Sequence, residues 1–183
     1  MKIKIYFLGV LVALLTSCKK DQPIVVTTDD YCAAVDTVTG IMVHDIFSPP
    51  VASRIYAYPN IAAYEIIAQN SNKYQSLQGQ LHGLDSIPVL DTKSGVNQKL
   101  AALIAHMEVS KQLVFSEEAL EKYRDSLYKK WSSENKKEFD VSKEYALKVV
   151  DRIKAWMGKD NYKQTRTFPK YSVHTDQAGR WQP

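Results

Sequence analysis

The chain reads as an all-α protein, a helical bundle of about five main helices. Three observations predict this class. Apolar residues recur at spacings of three and four over long stretches instead of alternating. Seven glycines in 183 residues are too few for an all-β fold rich in tight turns. Apart from Pro59, the strong breakers (Pro49-Pro50, Gly79, Gly83, Pro88, Gly95, Gly158) fall between the periodic segments. A hydrophobic content of 45% and a charged content of 24% suit one ordinary globular domain.

The expected elements follow in order. Residues 18–29 form a short polar tether, and the bundle spans 30–158. Asp29 and Asp30 place negative charge at the start of a first helix, about Asp30 to Phe47. Val35, Val38, Met42 and Ile46 lie roughly on one face of it. Ser48-Pro49-Pro50 must end that helix, because proline lacks the donor and disfavours the helical conformation of the residue before it. Proline also suits the first turn of the next helix, about Val51 to Gln69, in which Pro59 predicts a kink or register shift. Residues 70–95 show no sustained period. Leu77, Leu81 and Leu84 allow a short helix there, and a connection this long is usually functional or packed on itself.

Three clearer helices come next. The first, about Val96 to Phe115, carries Val96, Leu100, Leu103, Ile104 and Met107 on one stripe. Ser116 can cap the second at its N-terminus. That helix, Glu117 to Trp131, buries Leu120, Tyr123 and Leu127 and exposes the pairs Glu118–Lys122 and Asp125–Lys129. The third, about Glu134 to Met157, presents Phe139, Ala146, Val149, Val150, Ile153 and Met157, and Gly158 is a natural stop. Residues 159–183 lose the helical period and read as an extended tail. Its aromatic and proline residues normally pack onto something.

Residues 1–17 read as a secretory leader. Lys2 and Lys4 form the positive start, and Ile5 to Leu15 is an apolar run too short to span a bilayer. Leu15-Thr16-Ser17-Cys18 resembles a bacterial lipobox, so Cys18 is the expected lipidation site. The partner implied is a membrane, reached through an N-terminal lipid anchor, and the expected location is the bacterial cell envelope. Acyl chains at one terminus give a stable anchor. From a formal charge of +4, loss of Lys2 and Lys4 leaves +2. That is too weak, and too scattered, to argue for nucleic acid. With Cys18 lipidated, Cys32 has no intrachain partner, which excludes a disulfide framework. Cys32 sits in the apolar-small run Tyr31-Cys32-Ala33-Ala34-Val35 and reads as a buried, inert thiol. No His/Cys cluster has zinc spacing.

The most informative stretch is Met42–Glu65, MVHDIFSPPVASRIYAYPNIAAYE. It is dense in Tyr and Ala and holds the polar set His44, Asp45, Arg54 and Glu65. With Thr165–Pro183 (TRTFPKYSVHTDQAGRWQP) it resembles the N-terminal helical part of bacterial vanadium-dependent haloperoxidase-like proteins, of the type 2 phosphatidic acid phosphatase superfamily. The resemblance covers roughly residues 30–183. It implies an incomplete N-terminal half of a larger α-helical domain, whose tail continues into a catalytic half. It also implies vanadate as a cofactor in a full-length relative.

The family binds vanadate or phosphate through three motifs: Lys, six residues, Arg-Pro; then Pro-Ser-Gly-His; then Ser-Arg, five residues, His, three residues, Asp. Lys and Arg neutralise the oxyanion, and the two His bind the metal or act in acid–base chemistry. None of the three occurs in this sequence. Ser53-Arg54 is the single Ser-Arg pair, and the following His and Asp positions hold Asn60 and Tyr64. No catalytic residue, metal ligand or cofactor site therefore carries over.

Each tempting residue has a plainer reading. His44-Asp45 has the makings of an acid–base dyad, but adjacent helical residues point about 100° apart, and such a His is more often a core or cap residue. Arg54 and Glu65 read as partners of groups on other helices. Tyr56, Tyr58 and Tyr64 read as amphipathic core contacts. His174 and Arg180 sit on the tail, where they could edge a site completed by further sequence. Phe168, Tyr171 and Trp181 would lack partners within this chain, which predicts self-association through the tail. The reading from another class is a helical lipoprotein without enzyme activity, acting as a binding or assembly module at the envelope.

Overall fold

The structure, a computed structural model, describes residues 22–169, 172–173, 176 and 178–180. The leader 1–17, Cys18, Tyr171, His174 and Trp181 lie outside the described residues. Among the described residues all regular structure is helical, in agreement with the all-α expectation. The helices are α1 (Thr28–His44), α2 (Pro49–Ala68), α3 (Gln98–Lys111), α4 (Glu117–Glu134), α5 (Lys136–Met157) and the single-turn α6 (Tyr162–Thr165). No helix among them is long and apolar enough to cross a membrane.

A capping box starts α1. Thr27 accepts from the Asp30 amide and Asp30 accepts from the Thr27 amide, so the helix begins two residues earlier than the acidic pair suggests. It also ends earlier, at His44. Two further corrections fall in this region. From Gln22 onward the expected tether is a strap packed on the bundle, with Ile24 and Val26 buried. The Ile24 amide donates to Glu138 Oε2 and its carbonyl accepts from Asn97 Nδ2. The inner face of α1 is Ala34, Val38, Ile41 and Met42, whereas Ile46 is expelled from it.

Pro49 and Pro50 open α2, where a missing N–H costs nothing. Pro59 does not divide the helix, which continues through it as one element. At its C-terminus Gln98 Nε2 donates to the carbonyls of Ile66 and Gln69, which satisfies acceptors that the helix leaves open.

The long connection forms no helix at Leu77–Leu84. It folds through turns closed by Leu81 N to Leu77 O and Gly79 N to Leu84 O, and it buries Leu84, Ile87 and Leu90. Its carbonyls are held from α5: Tyr145 donates to Pro88 O, Arg152 to Ser86 O and Trp156 to His82 O.

The core sits around α3, which packs chiefly against α2 and α5. A single stripe was expected on it. Instead, from Leu100 to Ser110 only Glu108 escapes full burial. Ala101, Ala102 and Ala105 line the sides of this helix, and small side chains let neighbouring helices approach from more than one direction. Asn97 and Asn135 cap α3 and α5 by accepting from the Leu100 and Glu138 amides. The face read for α5 is the buried one. On α4 other pairs form in place of the expected i,i+4 ones. Arg124 pairs with Glu108 and with Asp125, and Lys111 pairs with Glu121.

Candidate functional site

Three polar clusters and one apolar trough are the places where chemistry could reside. The first joins α1 to α4. Asp45 Oδ2 accepts from the amides of Phe115 and Ser116 at 2.8 and 3.0 Å, and Oδ1 accepts from the Ser116 hydroxyl at 2.5 Å. Ser116 therefore does not cap its own helix with its side chain; Asp45, seventy residues away, holds the backbone that leads into it. Burial would raise the Asp45 pKa. The Ser116 hydroxyl and amide, His44 and the Phe115 amide outweigh that and bring it down to about 2. His44 Nδ1 lies 3.2 Å from Asp45 Oδ1 and 3.3 Å from Ser116 Oγ. A serine nucleophile needs one imidazole nitrogen toward the hydroxyl and the other toward the carboxylate. Here both groups face Nδ1, and the hydroxyl proton already points to Asp45. The cluster is a joint between helices.

The second cluster ties the chain after α5 to α2. Arg54 Nε donates to Asp160 Oδ2 at 2.6 Å, and Tyr58 donates to the same oxygen at 3.0 Å. The guanidinium lies between the rings of Tyr58 and Tyr162, 5.1 and 4.5 Å from their centroids. Burial would raise the Asp160 pKa, but Arg54 and the Tyr162 amide hold it below the ordinary carboxylate range. Burial and the neighbouring Asp160 push Tyr58 up to about 12. The tail is therefore not extended from residue 159. It is clasped at Asp160 and turns once as α6.

The third cluster is Glu65. Its carboxylate is fully buried and accepts from the Ser76 hydroxyl at 2.6 Å and the Leu77 amide at 2.7 Å. Its partners are on the long connection, not on another helix as expected. Arg54 and Glu65 thus serve separate clusters. Cys32 is exposed, which corrects the buried-thiol reading: Ala33 is exposed beside it, Tyr31 and Val35 are half-buried, and Ala34 is the buried member of the run.

The trough, about 640 Å³, lies between the strap, α1, α2 and α3. Tyr31, Tyr64 and Tyr74 wall it, with Ala63 and Ala102 beneath and Lys99 as its single charged lining residue. Its size and apolar lining suit a ligand cavity. Three of its hydroxyls are already engaged, Thr27 to Asp30 Oδ2, Tyr31 to Asn60 Oδ1 and Tyr64 to Gln75 O.

An oxyanion such as vanadate needs several convergent cationic donors. Among the described residues three arginines are engaged by carboxylates, Arg54 on Asp160, Arg124 on Glu108 and Asp125, and Arg152 on Asp85 with the Ser86 carbonyl, and Arg166 lies 5.9 Å from the Tyr162 ring centroid. No group of three or more His, Cys, Asp or Glu is placed to hold a metal among them. These residues do not fit vanadate.

No family model matches the chain, and no curated protein does. Among solved structures it is similar to the first bacterial vanadium-dependent iodoperoxidase, with a TM-score of 0.81 and 57% identity over 90% of this chain. It is a relative of the vanadium-dependent haloperoxidases. The chain spans 40% of the length of that iodoperoxidase. The haloperoxidase-like relationship read from Met42–Glu65 and the tail is therefore correct.

Sequence reading of this haloperoxidase relative missed Asp160, Tyr162 and Ser116 as members of clusters. Their partners lie 106, 108 and 71 residues away along the chain, and no local period marks them. The one available signal was Asn161 after Gly158, a polar residue suited to the left-handed conformation it adopts.

Proposed function

We propose that this chain is the N-terminal helical part of a vanadium-dependent haloperoxidase-like envelope lipoprotein, a scaffold that does not itself hold the oxyanion. The observation that carries this is the 57% identity at a TM-score of 0.81 over only 40% of the iodoperoxidase. The absence of the three oxyanion motifs from the sequence supports it, as does the engagement of Arg54, Arg124 and Arg152 by carboxylates of this chain. In a full-length relative, vanadate would be bound by residues other than these.

Purified residues 18–183, given vanadate, peroxide and iodide or bromide, are expected to show no saturable halide oxidation, and no phosphate ester hydrolysis when vanadate is omitted. Saturable turnover by this polypeptide would overturn the reading. The lipid anchor rests on Leu15-Thr16-Ser17-Cys18. Cys18→Ala should abolish incorporation of labelled fatty acid and release the protein from membranes, and undiminished labelling would remove the anchor.

A further inference from the structure

The joint between α1 and α4 carries features that bring no benefit among the described residues. Helix α1 ends in a Schellman motif: the Phe47 amide donates to Met42 O and the Ile46 amide to Val43 O. Ile46 occupies the position where glycine is usual. It has φ +55° and is 88% exposed. A β-branched residue is strained there, and its side chain buries nothing. Val43 and Phe115 beside it are 75% and 76% exposed, and the Phe115 ring lies 4.6 Å from that of Phe47. One turn back, Gly40 weakens the middle of the helix, and a Cβ there would meet nothing within 4 Å. Asp45 ties the end of α1 to the backbone at Phe115 and Ser116. The patch borders a groove of about 800 Å³ whose rim holds Glu117 and Glu118. Both acids suit the start of α4, and among the described residues neither pairs with a cation.

We infer that this corner is the seat of a helix with aliphatic residues flanked by Lys or Arg, supplied by the part of the haloperoxidase fold that this chain does not span. The inference rests on the reading above. Three observations select this occupant. Gly40 permits close approach of a helix backbone. The acidic rim asks for basic flanks. A second copy docked with the two-fold axis through this rim would set Glu117 and Glu118 against their own counterparts, which is repulsive. The 60% of the iodoperoxidase beyond the match supplies ample chain for the role.

The test compares the full chain alone with the same chain joined to the unmatched part of the iodoperoxidase. Two variants are used, Ile46→Asn and Val43→Lys. In the chain alone, asparagine relieves the left-handed strain and lysine suits the helix C-terminus, so the melting temperature should hold or rise by a few degrees. In the fusion both should lower it by roughly 5 °C or more, because they break a packed contact. Val89→Lys, on another exposed position, should change neither form. A fusion that folds and oxidises iodide, with both variants shifting the two forms alike, would overturn the seat and leave the proposed function standing. A fusion that neither folds nor oxidises iodide, beside a folded chain, would remove both. A chain that sediments as a dimer until Val43→Lys is introduced would make the occupant a second copy and overturn the inference.

Discussion

Replacing Glu65 with alanine should lower the unfolding free energy by about 3 kcal/mol, a fall in melting temperature of roughly 6–12 °C for a chain of this size. The carboxylate is fully buried and has two donors, the Ser76 hydroxyl and the Leu77 amide. Each loses its acceptor in the alanine variant, and an unsatisfied donor away from water costs about 1–3 kcal/mol. The vacated volume adds a cavity term. Glu65→Gln keeps one acceptor oxygen but turns an amide donor toward groups that also donate, so about half of the loss should persist. The damage should be local before it is global. Leu77 and the turn closed by Gly79 N to Leu84 O hang from this carboxylate, so their amides should exchange faster than those of α3. A loss below about 1 kcal/mol by denaturant titration, with Leu77 protection unchanged, would show that solvent replaces the acceptor.

The tie to Glu65 also marks where sequence stops being informative. The helices were legible because burial on one side leaves a period. Phe139, Ala146, Val149, Val150, Ile153 and Met157 spell out the face of α5, and they are the residues it buries. Breakers were legible too, since Pro49 and Pro50 act through their own backbone. Pairings across the chain were not. Asp45 looked like half of a dyad with His44, and its real work is to hold the backbone leading into a helix that starts at residue 117. No local pattern in either segment records that distance. The burial of α3 on nearly all sides was missed for a related reason: Ala101, Ala102 and Ala105 are weak signals of burial, because alanine is favourable in any helix. The exposures of Ile46 and Cys32 were misread in the opposite sense. Composition says that such residues prefer the interior; Cys32 instead lies on the outer face of α1, and around Ile46 the described residues supply no interior. The oxyanion site was unreadable on other grounds, because the motifs that build it are not in the sequence.

Acid should destabilise the fold through His106. This side chain is buried in α3, edge-on to Tyr31 at 5.1 Å, and its Nδ1 is the one buried side-chain polar atom without a partner among the described residues. A bare nitrogen there is best accommodated unprotonated. Burial lowers the imidazole pKa from 6.5 to about 4. Between those values the unfolded chain binds a proton that the folded chain refuses. The contribution is therefore intact above pH 6.5, shrinks as the pH falls, and is lost by about pH 4, with a span on the order of 3 kcal/mol. Asp45 acts lower down. Its depressed pKa stabilises the fold above 3.8 and fails as the pH falls toward about 2, so the two windows separate. His106→Leu removes the titrating group and the unpartnered nitrogen while filling most of the space. It should be close to neutral at pH 7 and more stable than the wild type at pH 4.5. The measurement is unfolding free energy by denaturant at both pH values in the two proteins. If the difference between them is the same at pH 7 and pH 4.5, His106 titrates alike in the folded and unfolded chain, and the packing of α3 around it is looser than its burial implies.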